Sequence, residues 1–223
     1  MKKNLIEPFF FIVVVALIVK NMPYLKKYDI KLKFNIYRSV MCSFFVIKST
    51  LYLLDSENIL DNVFSTVKEL EPLFFKFCLY IFFDIIFTLS RTKKRVDLLI
   101  HHFVILAVCF FGYKFNFVGN ILPILLLNEV ISILSGFDKL SLNNNRIRES
   151  VLFKKIRKII IIFIRLPIWI LFIYLISKNG KKLGPSHVSV ILTLISISII
   201  GLDIYWYKKC SSFINLNHIK LSK

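Results

Sequence analysis

The sequence predicts an all-α fold, a polytopic membrane bundle of about seven transmembrane helices. Three observations carry that expectation. Apolar residues make up 57% of the 223 and include 23 Phe, more than the roughly 45–50% of an average soluble domain. They gather into runs of 16 to 20 residues, near the length with which a helix rising about 1.5 Å per residue crosses about 30 Å of hydrocarbon. The connections between runs alternate between rich and poor in Lys and Arg, as cytoplasmic and opposite faces do. Together these exclude a lone soluble enzyme. The net charge of +18 does not imply a nucleic-acid partner, because the basic residues clump between apolar runs instead of lining a folded face.

The runs cover residues 5–20, 37–54, 72–90, 97–113, 117–136, 159–177 and 187–206. The first follows Met1-Lys2-Lys3 like a signal peptide, yet it ends in Lys20-Asn21-Met22-Pro23 without a small-residue cleavage site and so reads as a retained span. Six Lys and Arg lie in 20–38, four in 91–95, seven in 138–158 and four in 208–223, 21 in all, against seven in the opposite set. An odd number of spans follows, with the C-terminus in the cytoplasm and the N-terminus on the other side. Lys48 and Lys76, near the far ends of their runs, are expected to snorkel. The organisation expected is a first span and basic cytoplasmic loop (1–35), a main transmembrane domain (36–212) and a short cytoplasmic tail (213–223). The patch Ser141-Leu142-Asn143-Asn144-Asn145 reads as a solvated linker. Cys42, Cys78, Cys109 and Cys210 have no CxxC spacing, so no metal site or disulfide framework is expected.

An ionisable group within a span costs several kcal/mol on insertion scales, and this chain has a set of them. Asp84, His101, His102, Glu129 with its neighbour Asn128, Arg165 and Asp203 lie in five different runs. Counted from the nearest basic flank, all fall roughly 7–14 Å below the cytoplasmic boundary, which predicts one polar cluster or cavity. Asp97 precedes His101 by four residues, so it shares a helix face and is placed to orient that imidazole, with His102 turned about 100° away. Glu129, Ser132 and Gly136 form a small-polar strip suited to close helix packing. Arg165 is better read as a structural charge neutralising Glu129 or Asp84 than as a catalytic group. A histidine pair alone has a plainer account as interfacial residues bound to carbonyls or headgroups.

The segments Tyr80-Ile-Phe-Phe-Asp84, His101-His102, Asn128-Glu129 with Ser132, Phe163-Ile-Arg165-Leu-Pro167 and Leu202-Asp-Ile-Tyr-Trp206 resemble the TLC-domain family of multi-span endoplasmic reticulum proteins. The similarity runs over about residues 36–212, in order and with family-like spacing. It implies an endoplasmic reticulum membrane location, membrane lipids as partners, and a site in which His101, His102, Asp84 and Glu129 are the catalytic candidates while Asp97, Asn128, Arg165 and Trp206 contact substrate. In the ceramide-synthase branch the histidine pair is followed by Ser-Tyr, Asn and then His-Asp-x-x-Asp. Here Tyr113 and Asn116 match, but Gly112 replaces the Ser, and Asn128-Glu129 with Ser132 replaces the acidic group. The resemblance therefore points to branches linked to lipid composition, and to lipid binding or lipid homeostasis without a cofactor. The alternative is an acyltransferase taking acyl-CoA as cosubstrate and a sphingoid base or similar lipid amine as acceptor. Loops 91–95 and 138–158 would then attract the CoA phosphates, although ordinary cytoplasmic anchoring explains them as well. A transporter is a third reading, but paired Gly/Pro-broken helices are not evident.

Overall fold

The computed structural model describes residues 6–56, 63, 64, 67–90, 95–115, 119–183 and 185–221. Outside them lie Lys2 and Lys3 of the N-terminal flank, the acidic Glu57 and Asp61, the basic Arg91, Lys93 and Lys94, Asn116, and the terminal Lys223. Every regular element among the described residues is helical. In chain order they are α1 (Ile6–Asn21), α2 (Ile30–Asp55), α3 (Glu71–Leu89), α4 (Val96–Lys114), α5 (Ile121–Leu126), α6 (Val130–Asn143), α7 (Ile147–Ile160), α8 (Leu166–Asn179) and α9 (Ser186–Leu221). A 3-10 turn, Leu127–Glu129, joins α5 to α6, and a π turn, Ile161–Arg165, joins α7 to α8.

Among the described residues, five continuous helical stretches are long and apolar enough to cross a membrane: Lys68–Leu89, Val96–Lys114, Ile121–Asn143, Ile147–Asn179 and Ser186–Asn217. The first two predicted runs are helical as well. However, α1 has only 16 residues, and α2 mixes Lys31, Lys33, Arg38 and Lys48 into its apolar sequence. Asp29 starts α2 by accepting the Leu32 amide at 2.8 Å, satisfying one of the free donors of a helix N-terminus.

The basic segment 138–158, expected as a loop, is almost wholly helix. Its residues Ser150, Val151 and Lys154 are buried at helical spacing while Leu152 and Lys155 are exposed, an amphipathic stripe that packs α7 onto α6 and α9. The expected solvated linker shrinks to a tight helix end. Asn145 adopts φ 57° and donates to the Leu142 carbonyl, and Arg146 donates to that of Ser141 at 2.8 Å. That paired arrangement closes a helix through one left-handed residue, which Asn tolerates. Ser141 itself is buried, with its hydroxyl donating to Glu149 at 3.0 Å. Beside it the buried Asp138 carboxylate takes the Lys154 ammonium and the Ser150 hydroxyl, which accounts for two basic-segment residues that a loop would have left in solvent.

The core is aromatic. Phe45, Tyr80, Trp169 and Phe172 are fully buried, with Phe45 edge-on to Phe77 at 5.2 Å between ring centres, a favoured geometry. α2 approaches α6 closely at Gly136, where an added Cβ would stand 1.9 Å from Ser39 Oγ. The Ser39 hydroxyl lies 3.1 Å from the Ile133 carbonyl oxygen. The strip of Glu129, Ser132 and Gly136 thus serves the close packing expected of it.

Candidate functional site in the helical core

Three helices and one turn bring ionisable side chains to the middle of the bundle. His101 and His102 come from α4, Asp84 from α3, Glu129 from the turn between α5 and α6, and Arg38 from α2. All five are buried, Asp84 completely. His102 Nε2 stands 3.1 Å from Asp84 Oδ2, while Arg38 donates to Asp84 Oδ1 through Nη2 at 2.5 Å and Nε at 3.2 Å. Glu129 Oε2 accepts from the Ser132 hydroxyl at 2.9 Å and the Cys42 thiol at 3.3 Å. Its other oxygen is 4.0 Å from His101 Nε2. Cys42 also lies 3.3 Å from the Tyr80 hydroxyl. The two imidazoles, 5.4 Å apart between centres, therefore face different carboxylates carried by different helices.

Two expected pairings are corrected by this geometry. Asp97 does not orient His101. Its carboxylate is held by Arg95 at 2.6 Å and accepts the Trp206 indole N–H at 2.9 Å, because Arg95 lies just ahead of α4 and Trp206 arrives from α9. Arg165 neutralises neither Glu129 nor Asp84. It donates through Nε to Asp203 at 2.8 Å and through Nη1 to the Asn128 carbonyl at 2.6 Å, so two groups from the same polar layer satisfy each other. Trp206 links the parts, its ring edge-on to His101 at 5.4 Å and 5.5 Å from the Arg165 guanidinium carbon.

Arg38 was counted with the basic loop 20–38 and not with the site. Its signal is positional: Arg38, Met41, Cys42 and Phe45 fall on one helical stripe, and all are buried. Cys42 and Tyr80 carry no sequence signal for the site, since a thiol and a phenol among apolar residues look like packing until a carboxylate is placed beside them.

Beside His101 lies a narrow cavity of about 50 Å³, walled mainly by apolar side chains such as Phe74, Ile105, Leu122 and Phe172, with Asn128 and Glu129 at its polar margin. A smaller pocket of about 30 Å³ is lined by Arg38, Arg95, Arg157, Ser132, Ser135 and Trp206, and His101 belongs to its wall too. Around the first cavity several buried polar atoms have no hydrogen-bond partner among the described residues: both amide atoms of Asn128, Trp169 Nε1 and His101 Nδ1. Most buried polar atoms of folded proteins have a partner, so this concentration marks the cavity out. The chain matches no family model, no curated protein and no solved structure. Among the described residues, no group of three His, Cys, Asp or Glu converges to hold a metal ion. The groups that do converge suit proton exchange and hydrogen bonding to a polar group carried on an apolar molecule.

Proposed function

We propose that this protein binds a lipid in its core and acts in membrane lipid homeostasis, in the manner of the TLC-domain family that its motifs resemble. The observation that carries this reading is the position of His101, which forms part of the wall of both the apolar cavity and the arginine-lined pocket. An amphiphile placed there has its chain among Phe74, Ile105 and Phe172 and its polar group beside His101 and Asn128, whose unpaired amide supplies both a donor and an acceptor. The cavity of about 50 Å³ is smaller than the roughly 300–1,000 Å³ of ordinary ligand sites, so binding involves separation of the surrounding helices. In this reading α1 and α2 also cross the membrane, for seven spans, in the endoplasmic reticulum with the N-terminus lumenal. Lipids that co-purify with the wild-type protein in mild detergent, identified by mass spectrometry, are expected to be lost when Leu122→Trp fills the cavity. Unchanged lipid retention in a folded Leu122→Trp protein refutes the reading.

A second reading, acyl transfer, is favoured by one specific feature, the approach of Glu129 to His101 at the cavity margin. A histidine there can take the proton from a lipid amine as the new C–N bond forms and the thioester C–S bond of acyl-CoA breaks, then return it to the departing thiolate. His101→Gln and His102→Gln keep hydrogen-bonding capacity but cannot carry the proton. Retention of the protein's full effect on cellular lipid composition by both variants eliminates catalysis while leaving lipid binding intact.

A further inference from the structure

A second and larger space lies between α1, α2 and α3 and shares none of the lining residues of the His101 cavity. It is a groove of about 440 Å³, within the usual range of small-molecule sites. Its walls are apolar along most of their length, with Ile12 and Ala16 from α1, Phe34 from α2 and Phe83 from α3. Leu17 and Ile86 on its lining remain about half exposed, so the groove is open sideways. The ionisable lining residues sit together at one end, where Lys20 closes α1, Lys33 opens α2 and Ser90 caps α3. Neither lysine is paired with a carboxylate of the described residues. One turn deeper along α2, Tyr37 lines the same groove.

We propose that this groove holds one molecule of an anionic glycerophospholipid. The order of groups along the groove matches the order along such a lipid. Lys20 and Lys33 take the phosphate and the acidic headgroup, and an acyl chain runs between Ile12, Ala16, Phe34 and Phe83. The charge sign is set by the chain itself, because residues 20–33 contain five lysines and a single acid, Asp29, whose side chain is already used in capping α2. A basic segment at a membrane surface favours anionic over zwitterionic lipid. The site stands independently of the proposed function, since it uses no residue of the His101 cavity.

The test uses the full-length protein in phosphatidylcholine vesicles, with phosphatidylserine carrying a photoactivatable acyl chain as probe and the matching phosphatidylcholine as its comparison. Crosslinks from the phosphatidylserine probe are expected on residues 12–20 and 83–90, competed by unlabelled phosphatidylserine and not by inorganic phosphate. Lys20→Gln with Lys33→Gln is expected to weaken this labelling roughly 30-fold, and Ala16→Phe, which fills the groove and leaves both lysines in place, to abolish it. Equal labelling by the two probes in the wild-type protein overturns the proposal without reference to any variant. Competition by free phosphate, or undiminished labelling in a folded lysine variant, overturns it as well.

Discussion

Replacing Gly136 by Ala probes the contact on which the site's geometry depends. The new methyl group would stand 1.9 Å from Ser39 Oγ, and 3.0 Å from both Ser39 Cβ and the Asn35 carbonyl oxygen. Rotating the hydroxyl away relieves only the first clash, so α2 and α6 must separate. Overpacking of this kind costs about 1–3 kcal/mol. The displaced helix carries Arg38, one residue before Ser39, so the strain also reaches the Asp84 pair. Ser39→Gly alone removes a hydrogen bond of about 1 kcal/mol and places Gly inside a helix at about 1 kcal/mol. In the double variant the methyl group occupies the space that the Ser39 side chain vacates. A cycle of the wild-type, both single and the double variants, unfolded by SDS in mixed micelles, is therefore expected to give a favourable coupling of about 1 kcal/mol or more. Gly136→Ala indistinguishable from wild type, or single effects that add to within about 0.5 kcal/mol, refutes the close approach of α2 and α6.

Three other outcomes are expected. Arg165→Met and Asp203→Leu should each lower stability by about 3–5 kcal/mol, with the double change much milder, because the singles strand a buried charge and the double removes both; the same mixed-micelle titration checks this. Asp84→Asn should be comparably damaging through Arg38, and adding Arg38→Met should recover part of the loss. A glycosylation acceptor added at the N-terminus should be modified in microsomes and one added at the C-terminus should not; the reverse pattern contradicts the proposed orientation.

The helical bundle and the residues of its polar centre were legible in the sequence because a charge within an apolar run is conspicuous. Asp84, His101, His102, Glu129, Arg165 and Asp203 all stand out in this way. Their pairings were not legible. Sequence separation favours Asp97 with His101, but Arg95 and an indole brought from more than a hundred residues away hold that carboxylate instead. Arg38 was hidden by its neighbours, since six basic residues in 20–38 look alike until α2 is seen to begin at Ile30 and turn one of them inward. Segment 138–158 misled for a related reason. Its seven Lys and Arg suggested solvent, whereas Lys154 is buried against Asp138, a pairing visible only once the chain has reversed at Asn145.

The π turn at Ile161–Arg165 has a consequence for how this chain tolerates change. Two residues beyond it is Pro167, whose ring in an ordinary helix would press on the carbonyl of Phe163, inside the widened turn. A π turn holds one residue more than the α-helical path needs, so it acts as an insertion absorbed without breaking the helix. The rotational settings before and after it are consequently independent: α7 turns Ser150 and Lys154 toward Asp138, while α8 turns Trp169 and Phe172 toward the His101 cavity. Deleting a single residue here would restore regular winding with α8 still facing the cavity, whereas regular winding that kept every residue would swing α8 by about 100° and carry those two aromatic rings away from it.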